Sequence, residues 1–152
     1  MKVSFAFAKG TLDIYEEKQM GRRELREQIF KLLFRIEFNK PEEMAEQEKL
    51  FFEDDEKKTS EIDHEYITEK YARIVKQKKE IDLMINEIAE GWKTERMGKV
   101  DLTILRLAVY EIKFDEDVPA SVAINEAVEL AKKFGQDGSP SFINGILAKF
   151  AK

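Results

Sequence analysis

Cysteine is absent from this chain, and histidine occurs once, as His64. Disulfide bonds and thiolate-ligated metal sites are therefore excluded, and a typical zinc site would lack its usual ligands. The absence of cysteine fits a reducing cytoplasm, where we expect the protein to reside. His64 stands between Asp63 and Glu65 at a predicted helix start, which favours a solvated surface position over a role as general base.

Long apolar runs and glycine-rich loops are also missing. No stretch approaches the roughly 20 apolar residues of a membrane-spanning helix, so we expect no membrane association. The 7 glycines are scattered singly, without the spacing of a phosphate-binding loop. Carboxylates are abundant, but abundance alone does not define an acid–base pair. These absences favour a protein that is not an enzyme and holds no cofactor or metal.

Charge is plentiful but unevenly distributed. Hydrophobic residues make up 43% and charged residues 38% of the 152 positions, which suits one globular unit or two small subdomains. The net charge is −5, yet basic side chains cluster between residues 21 and 40, and acidic ones between 41 and 65. An acidic protein with one basic end can bind a polyanion there, although an ordinary mixed-charge helix is the alternative.

After residue 20, apolar side chains recur at the three- and four-residue spacing of amphipathic helices. We predict an all-α helical bundle of about seven helices without a sheet. The predicted helices cover residues 25–36, 41–52, 63–75, 81–89 and 100–114, and two more begin near Pro119 and Ser139. Residues 53–60 are predicted to form an exposed loop.

Four residues are predicted to define helix ends. Asp63 and Ser139 are expected to cap helices, Pro140 to occupy a first turn, and Gly135 to end a helix in the left-handed conformation.

Two asparagines, Asn125 and Asn144, stand among apolar neighbours. A polar amide in such surroundings normally bonds a specific backbone group. We therefore predict that both are buried and tie helix ends to connectors.

The first predicted helix has two faces that are expected to make contacts. One is an apolar stripe; the other carries arginines near the helix start and then Phe30, Phe34 and Phe38 at four-residue spacing. Arginines there can contact RNA phosphates and stack on unpaired bases, and exposed aromatic stripes suggest a protein interface. Alternatively, the arginine stems cover the core while the phenylalanines fill it.

Three regions of the chain carry distinctive motifs: MGRRELRE at 20–27; GKVD at 98–101 leading into ILRLAVYE at 104–111; and VP at 118–119 followed by VAINEAVELAKKFG at 122–135 and SPSFINGIL at 139–147. Together these regions resemble the NusB family of transcription antitermination factors. The resemblance covers residues 20–152. Residues 1–19 fall outside it, as a leader from an upstream start codon or as an extension that packs on the bundle.

The resemblance implies a fold of two packed three-helix-like subdomains, at about residues 20–80 and 81–152. It implies binding of the boxA element of ribosomal RNA leader transcripts together with NusE, a small-subunit ribosomal protein. The pair would then load onto the elongating RNA polymerase and suppress premature termination. A homodimer through the aromatic stripe stays open as an alternative assembly.

Eight site residues follow from the resemblance. Those expected to contact RNA are Arg22, Arg23, Arg26 and Lys99. Those expected to line the surface that faces NusE are Phe34, Phe38, Asp101 and Phe134.

Two alternative functions make different demands on the sequence. A NusB-like domain of an rRNA cytosine methyltransferase would need a glycine-rich cofactor loop and a catalytic cysteine, and the chain has neither. A helical protein-interaction module without a nucleic-acid role would make Arg22, Arg23 and Arg26 dispensable.

Overall fold

A computed structural model describes residues 19–54 and 59–151, and these residues form six α-helices, three short 3₁₀ turns and no strand. The helices are α1 (Arg22–Phe34), α2 (Met44–Glu53), α3 (Glu61–Ile88), α4 (Lys99–Phe114), α5 (Ala120–Phe134) and α6 (Ser139–Phe150). The predicted all-α fold is confirmed. The predicted leader, residues 1–19, lies outside the described residues except for Gln19, as do residues 55–58 of the predicted loop.

The count is six instead of seven because the predicted third and fourth helices are one. The 28 residues of α3 run through the charged segment 76–80, whose lysine, glutamine and glutamate side chains are good helix formers. The predicted subdomain boundary near residue 80 thus falls inside a continuous helix. α3 ends at Ile88, and the turn that follows carries Gly91 with φ +88°.

Asp63 does not cap α3, contrary to the prediction. Ser60 holds that position, and its hydroxyl accepts a hydrogen bond from the backbone N–H of Asp63 at 3.2 Å. The buried Asp63 carboxylate instead accepts from the backbone N–H of Met20 at 2.7 Å, which fixes the chain just before α1.

The central helix is α4, which packs against α1, α3, α5 and α6. Its residues from Leu102 to Glu111 are all buried, as the apolar pattern predicted. Each fully buried leucine or isoleucine contributes roughly 1.5–3 kcal/mol relative to an exposed one. The helices that carry the surfaces described below therefore rest on a single core.

The α5–α6 connection differs from the prediction in two details. Gly135 has extended backbone, with φ −91° and ψ −168°, so it is not left-handed. Glycine is needed there for space, since a Cβ would lie 2.6 Å from the Cβ of Ser139. Ser139 is the first residue of α6, and Gly138 precedes it; the Ser139 hydroxyl accepts from the backbone N–H of Gln136 at 3.0 Å. Pro140 lies in the first turn, as predicted.

Asn125 and Asn144 are both exposed, so the prediction of buried amides is wrong. The buried stripe of α5 includes Ala123 and Ala127, and a residue two positions from each points away from the core. The apolar neighbours of the asparagines in sequence are not their neighbours around the helix.

Candidate nucleic-acid and partner interfaces

The start of α1 forms one rim of a cleft of about 1250 Å³. Arg22 and Arg23 are exposed on this rim, and the cleft extends to α3 and to the connection between α4 and α5. Its charged lining residues are the cations Arg22, Arg23, Arg26, Lys70 and Arg73 and the anions Asp115, Glu116, Asp117 and Glu126. Tyr66 and Tyr110 add aromatic rings to the same lining.

Arg26 lies deeper than its two neighbours. Its side chain is 10% exposed, and its guanidinium donates to the carboxylate of Glu111 in α4 at 3.0–3.2 Å. The Glu111 side chain is 1% exposed and also accepts from Lys70 at 2.6 Å. Burial disfavours the Lys70 ammonium, but its interactions with Glu111, assisted by Tyr66 and Asp115, outweigh burial and raise the Lys70 pKa. Arg26 therefore anchors α1 to the core.

Arg23 is exposed, yet one edge of its guanidinium group is bound by a carboxylate. Its Nε donates to Glu126 Oε1 at 2.9 Å, and its Nη2 donates to Oε2 at 2.8 Å. These hydrogen bonds are the main cause of the lowered pKa of Glu126 and the raised pKa of Arg23. Arg22 is exposed and makes no ion pair with another described residue.

Lys99 lies apart from the three arginines. Its Nζ is 3.5 Å from Glu37 and 5.6 Å from the ring centroid of Phe38, beyond the C-terminal end of α1. α1 has 13 residues and is thus about 20 Å long. The structure therefore brings Arg22, Arg23 and Arg26 together and places Lys99 with the predicted partner residues.

Four phenylalanine rings form a continuous row, which we call the aromatic row, from the end of α5 along α1 to the 3₁₀ turn Arg35–Phe38 that follows α1. The centroid distances are 5.1 Å from Phe134 to Phe30, 6.0 Å from Phe30 to Phe34, and 5.0 Å from Phe34 to Phe38. Phe30 is buried, Phe34 and Phe134 are half-buried, and Phe38 is 61% exposed. The row joins three predicted partner residues, and Asp101 lies half-buried in the first turn of α4.

A second, partly buried ion cluster lies beside the exposed end of the aromatic row and was not predicted from the sequence. Arg106 of α4 donates to both carboxylate oxygens of Asp82 at 2.8 and 2.9 Å and to Glu37, the residue before Phe38. Burial opposes the charge, but the two carboxylates outweigh it and raise the Arg106 pKa. One signal was available, since Arg106 is the cation inside an otherwise apolar stretch of α4.

The fold and these two surfaces define a small all-helical protein with a basic helix start and a separate aromatic face. The chain belongs to the NusB family, whose sequence profile matches residues 23–152. The predicted family is confirmed.

Two curated relatives match this chain along nearly their whole length. The transcription antitermination protein NusB of Agathobacter rectalis is 54% identical over 132 residues, which is 87% of this chain and 100% of that protein. The protein of the same name from Lachnoclostridium phytofermentans is 52% identical, over 86% of this chain and 98% of the relative.

Solved structures show the same fold. NusB of T. maritima is 34% identical, with a TM-score of 0.78, over 88% of this chain and 92% of that one. A NusB chain in a crystal structure of antitermination factors NusB and NusE in complex with dsRNA is 25% identical, with a TM-score of 0.74, over 86% and 95% of the two chains.

No helix among residues 19–54 and 59–151 is long and apolar enough to cross a membrane. In the same part of the chain, no group of three or more histidine, aspartate or glutamate side chains could hold a metal ion.

Proposed function

We propose that this protein is an RNA-binding transcription antitermination factor that binds boxA of ribosomal RNA leader transcripts together with NusE. The pair would act on the RNA polymerase elongation complex in the cytoplasm and suppress premature termination. The observation that carries the proposal is the match of 86% of the chain to a NusB that was crystallised with NusE and dsRNA. Two curated relatives above 50% identity bear the antitermination name.

The RNA site that we propose is the arginine rim of the cleft. Arg22 and Arg23 both present exposed guanidinium groups on the first turn of α1, and Arg22 makes no ion pair with another described residue. Arginine binds phosphate through two parallel hydrogen bonds and stacks on bases, so both residues suit RNA. Arg26 would act by holding the rim in place through Glu111, because little of its side chain reaches solvent. Lys99 would contact only RNA that extends past α1.

The NusE site that we propose is the aromatic row, with Phe38 as its exposed anchor. Large aromatic side chains that become fully desolvated carry most of the binding energy at protein interfaces. Asp101 lies at the start of α4, where the helix dipole favours its charge, and it can accept hydrogen bonds from a basic partner. Phe34 and Phe134 extend the apolar surface from Phe38 along the aromatic row.

Two other readings make different predictions. A protein-interaction module without a nucleic-acid role is not favoured, since a solved relative was crystallised with RNA. A homodimer through the aromatic row would cover the NusE site, so self-association and NusE binding would compete. We propose no catalytic role, because the relatives are named as transcription antitermination proteins.

Reconstituted transcription tests the function. A template carries boxA upstream of a terminator, and read-through is measured with this protein and NusE added singly and together. We expect read-through to rise only with both proteins, and only on the boxA template. An equal rise on a template with scrambled boxA would contradict sequence-specific antitermination.

A further inference from the structure

The Arg23–Glu126 pair joins an accessible cation to an anchored anion. The Arg23 side chain is 67% exposed, whereas that of Glu126 is 13% exposed. Glu126 occupies Nε and Nη2 of Arg23. That is one edge of the guanidinium fork through which arginine binds phosphate bidentately. The carboxylate therefore stands where a phosphate group would bind this edge.

We propose that Glu126 is an internal competitor of RNA phosphate, which bound RNA displaces from Arg23. This inference rests on the proposed RNA-binding function and adds a residue that sets the affinity. Displacement is feasible because Arg23 is in water, where an ion pair contributes little net free energy. Glu126 would keep a second cation after the exchange, since its Oε1 lies 3.8 Å from Arg26 Nη1.

The neighbouring Arg26–Glu111 pair shows why the exchange is confined to Arg23. Both side chains of that pair are largely buried, and Glu111 also binds Lys70. Removing one partner from such a cluster leaves a buried charge without a counterion, which is strongly unfavourable. Arg26 therefore stays bound to Glu111 while Arg23 changes partner.

The charges that line the cleft also support a role for Glu126 in weakening RNA binding. Its lining carries five cations and four carboxylates, so the net attraction for a polyanion is small while Glu126 and the acidic connection 115–117 remain charged. Neutralising the carboxylate that binds an arginine directly removes both a competitor and a repulsive charge.

A matched pair of variants tests the proposal. Glu126→Gln and Glu129→Gln each remove one negative charge from α5, but Glu129 bonds Lys132 and makes no hydrogen bond to Arg23 among the described residues. Fluorescence anisotropy with a labelled boxA-like RNA gives Kd at fixed salt. We expect Glu126→Gln to tighten binding about two- to five-fold, the factor that corresponds to an exposed ion pair, and Glu129→Gln to change Kd less. In an Arg23→Gln background, Glu126→Gln should have no effect beyond that of Glu129→Gln.

Three results would overturn the proposal. Equal tightening by both variants would indicate net charge alone, and weaker binding by Glu126→Gln would mean that Glu126 positions Arg23 for RNA. If Glu126→Gln tightened RNA binding by the same factor in the Arg23→Gln background, the effect would have to act through another cation. Phosphate contacts are independent of sequence, so the comparison can also be made with scrambled RNA. Equal wild-type binding of boxA and scrambled RNA would contradict the proposed function without deciding the role of Glu126.

Discussion

The carboxylate of Glu111 in α4 holds the guanidinium of Arg26 in α1, with Nη2 to Oε2 at 3.0 Å. Lys70 of α3 donates to the same oxygen at 2.6 Å. One buried carboxylate thus joins three helices directly beneath the arginine rim. Since Arg22 and Arg23 stand on the same first turn of α1, the position of the proposed RNA site depends on this cluster.

Glu111→Gln removes the charge from this cluster and leaves two cations without their main counterion. We expect a loss of about 3–5 kcal/mol in the free energy of unfolding, measured by urea denaturation. Glu69→Gln is the control, because the exposed Glu69 approaches Arg73 only at 3.9 Å, and it should change stability by less than about 1 kcal/mol. Equal effects of the two substitutions would contradict a structural role for Glu111.

Gly135→Ala should destabilise the α5–α6 connection. The new Cβ would lie 2.6 Å from the Ser139 side chain and 2.8 Å from the carbonyl oxygen of Ala131, so the backbone must shift. Overpacking of this kind costs about 1–3 kcal/mol. Gly145→Ala is the matched control within α6, where a Cβ meets nothing within 4 Å. It should stabilise the protein by about 0.5–1 kcal/mol, because glycine is a poor helix residue. If Gly135→Ala left the free energy of unfolding unchanged, the turn would accommodate the added methyl group, contrary to the prediction.

Tyr71 should make stability fall in strongly alkaline solution. Burial, assisted by the charge of Glu48, raises the pKa of Tyr71 from 10.0 to about 12. The folded state therefore favours the neutral phenol, and its contribution is complete below pH 10 and is lost as pH rises from about 10 to 12. Two pKa units correspond to roughly 3 kcal/mol. Urea unfolding between pH 9 and 12 should show a smaller decline for Tyr71→Phe. Parallel declines for both proteins would contradict this assignment.

Phe38→Ser should weaken NusE binding without changing stability. The side chain is 61% exposed in the free protein, so its removal costs little in folding, whereas a buried aromatic anchor carries about 2 kcal/mol or more, over tenfold in Kd. Leu83→Ser is the control, because Leu83 is 64% exposed on α3. Isothermal titration calorimetry with NusE should separate the two variants. Equal NusE affinities of the two variants would mean that NusE does not bind at Phe38.

Apolar periodicity predicted which segments are helical better than it predicted where each helix begins and ends. The apolar stripe of α1 and the buried length of α4 could be predicted from spacing, because helix burial repeats every three to four residues. The continuity of α3 could not be predicted from apolar spacing, because the charged segment 76–80 has no apolar residue that continues the buried stripe. The exposure of Asn125 depends on its angle around α5, which neighbours in sequence do not reveal.

Contacts between distant residues limited the prediction of the sites. The arginine cluster and the four-residue spacing of Phe30, Phe34 and Phe38 follow from the order of residues along one segment, whereas the contact of Phe134 with Phe30 requires the packed bundle. The pairing of Arg106 with Glu37, 69 residues apart, requires the packed bundle, as does the distance of Lys99 from the arginines. The resemblance supplied the roles of these residues, whereas the structure supplied which of them share a surface.

The proposed function predicts that the protein–NusE complex distinguishes boxA-like RNA from a scrambled RNA of equal length and composition, and a comparison of the two affinities measures this. We expect tighter binding of boxA RNA, weakening as salt rises because phosphate contacts release counterions, and a loss of affinity in Arg22→Ala. Binding should be weaker without NusE, because two coupled ligands favour each other. Equal affinity of the wild-type complex for both RNAs would contradict the proposed function.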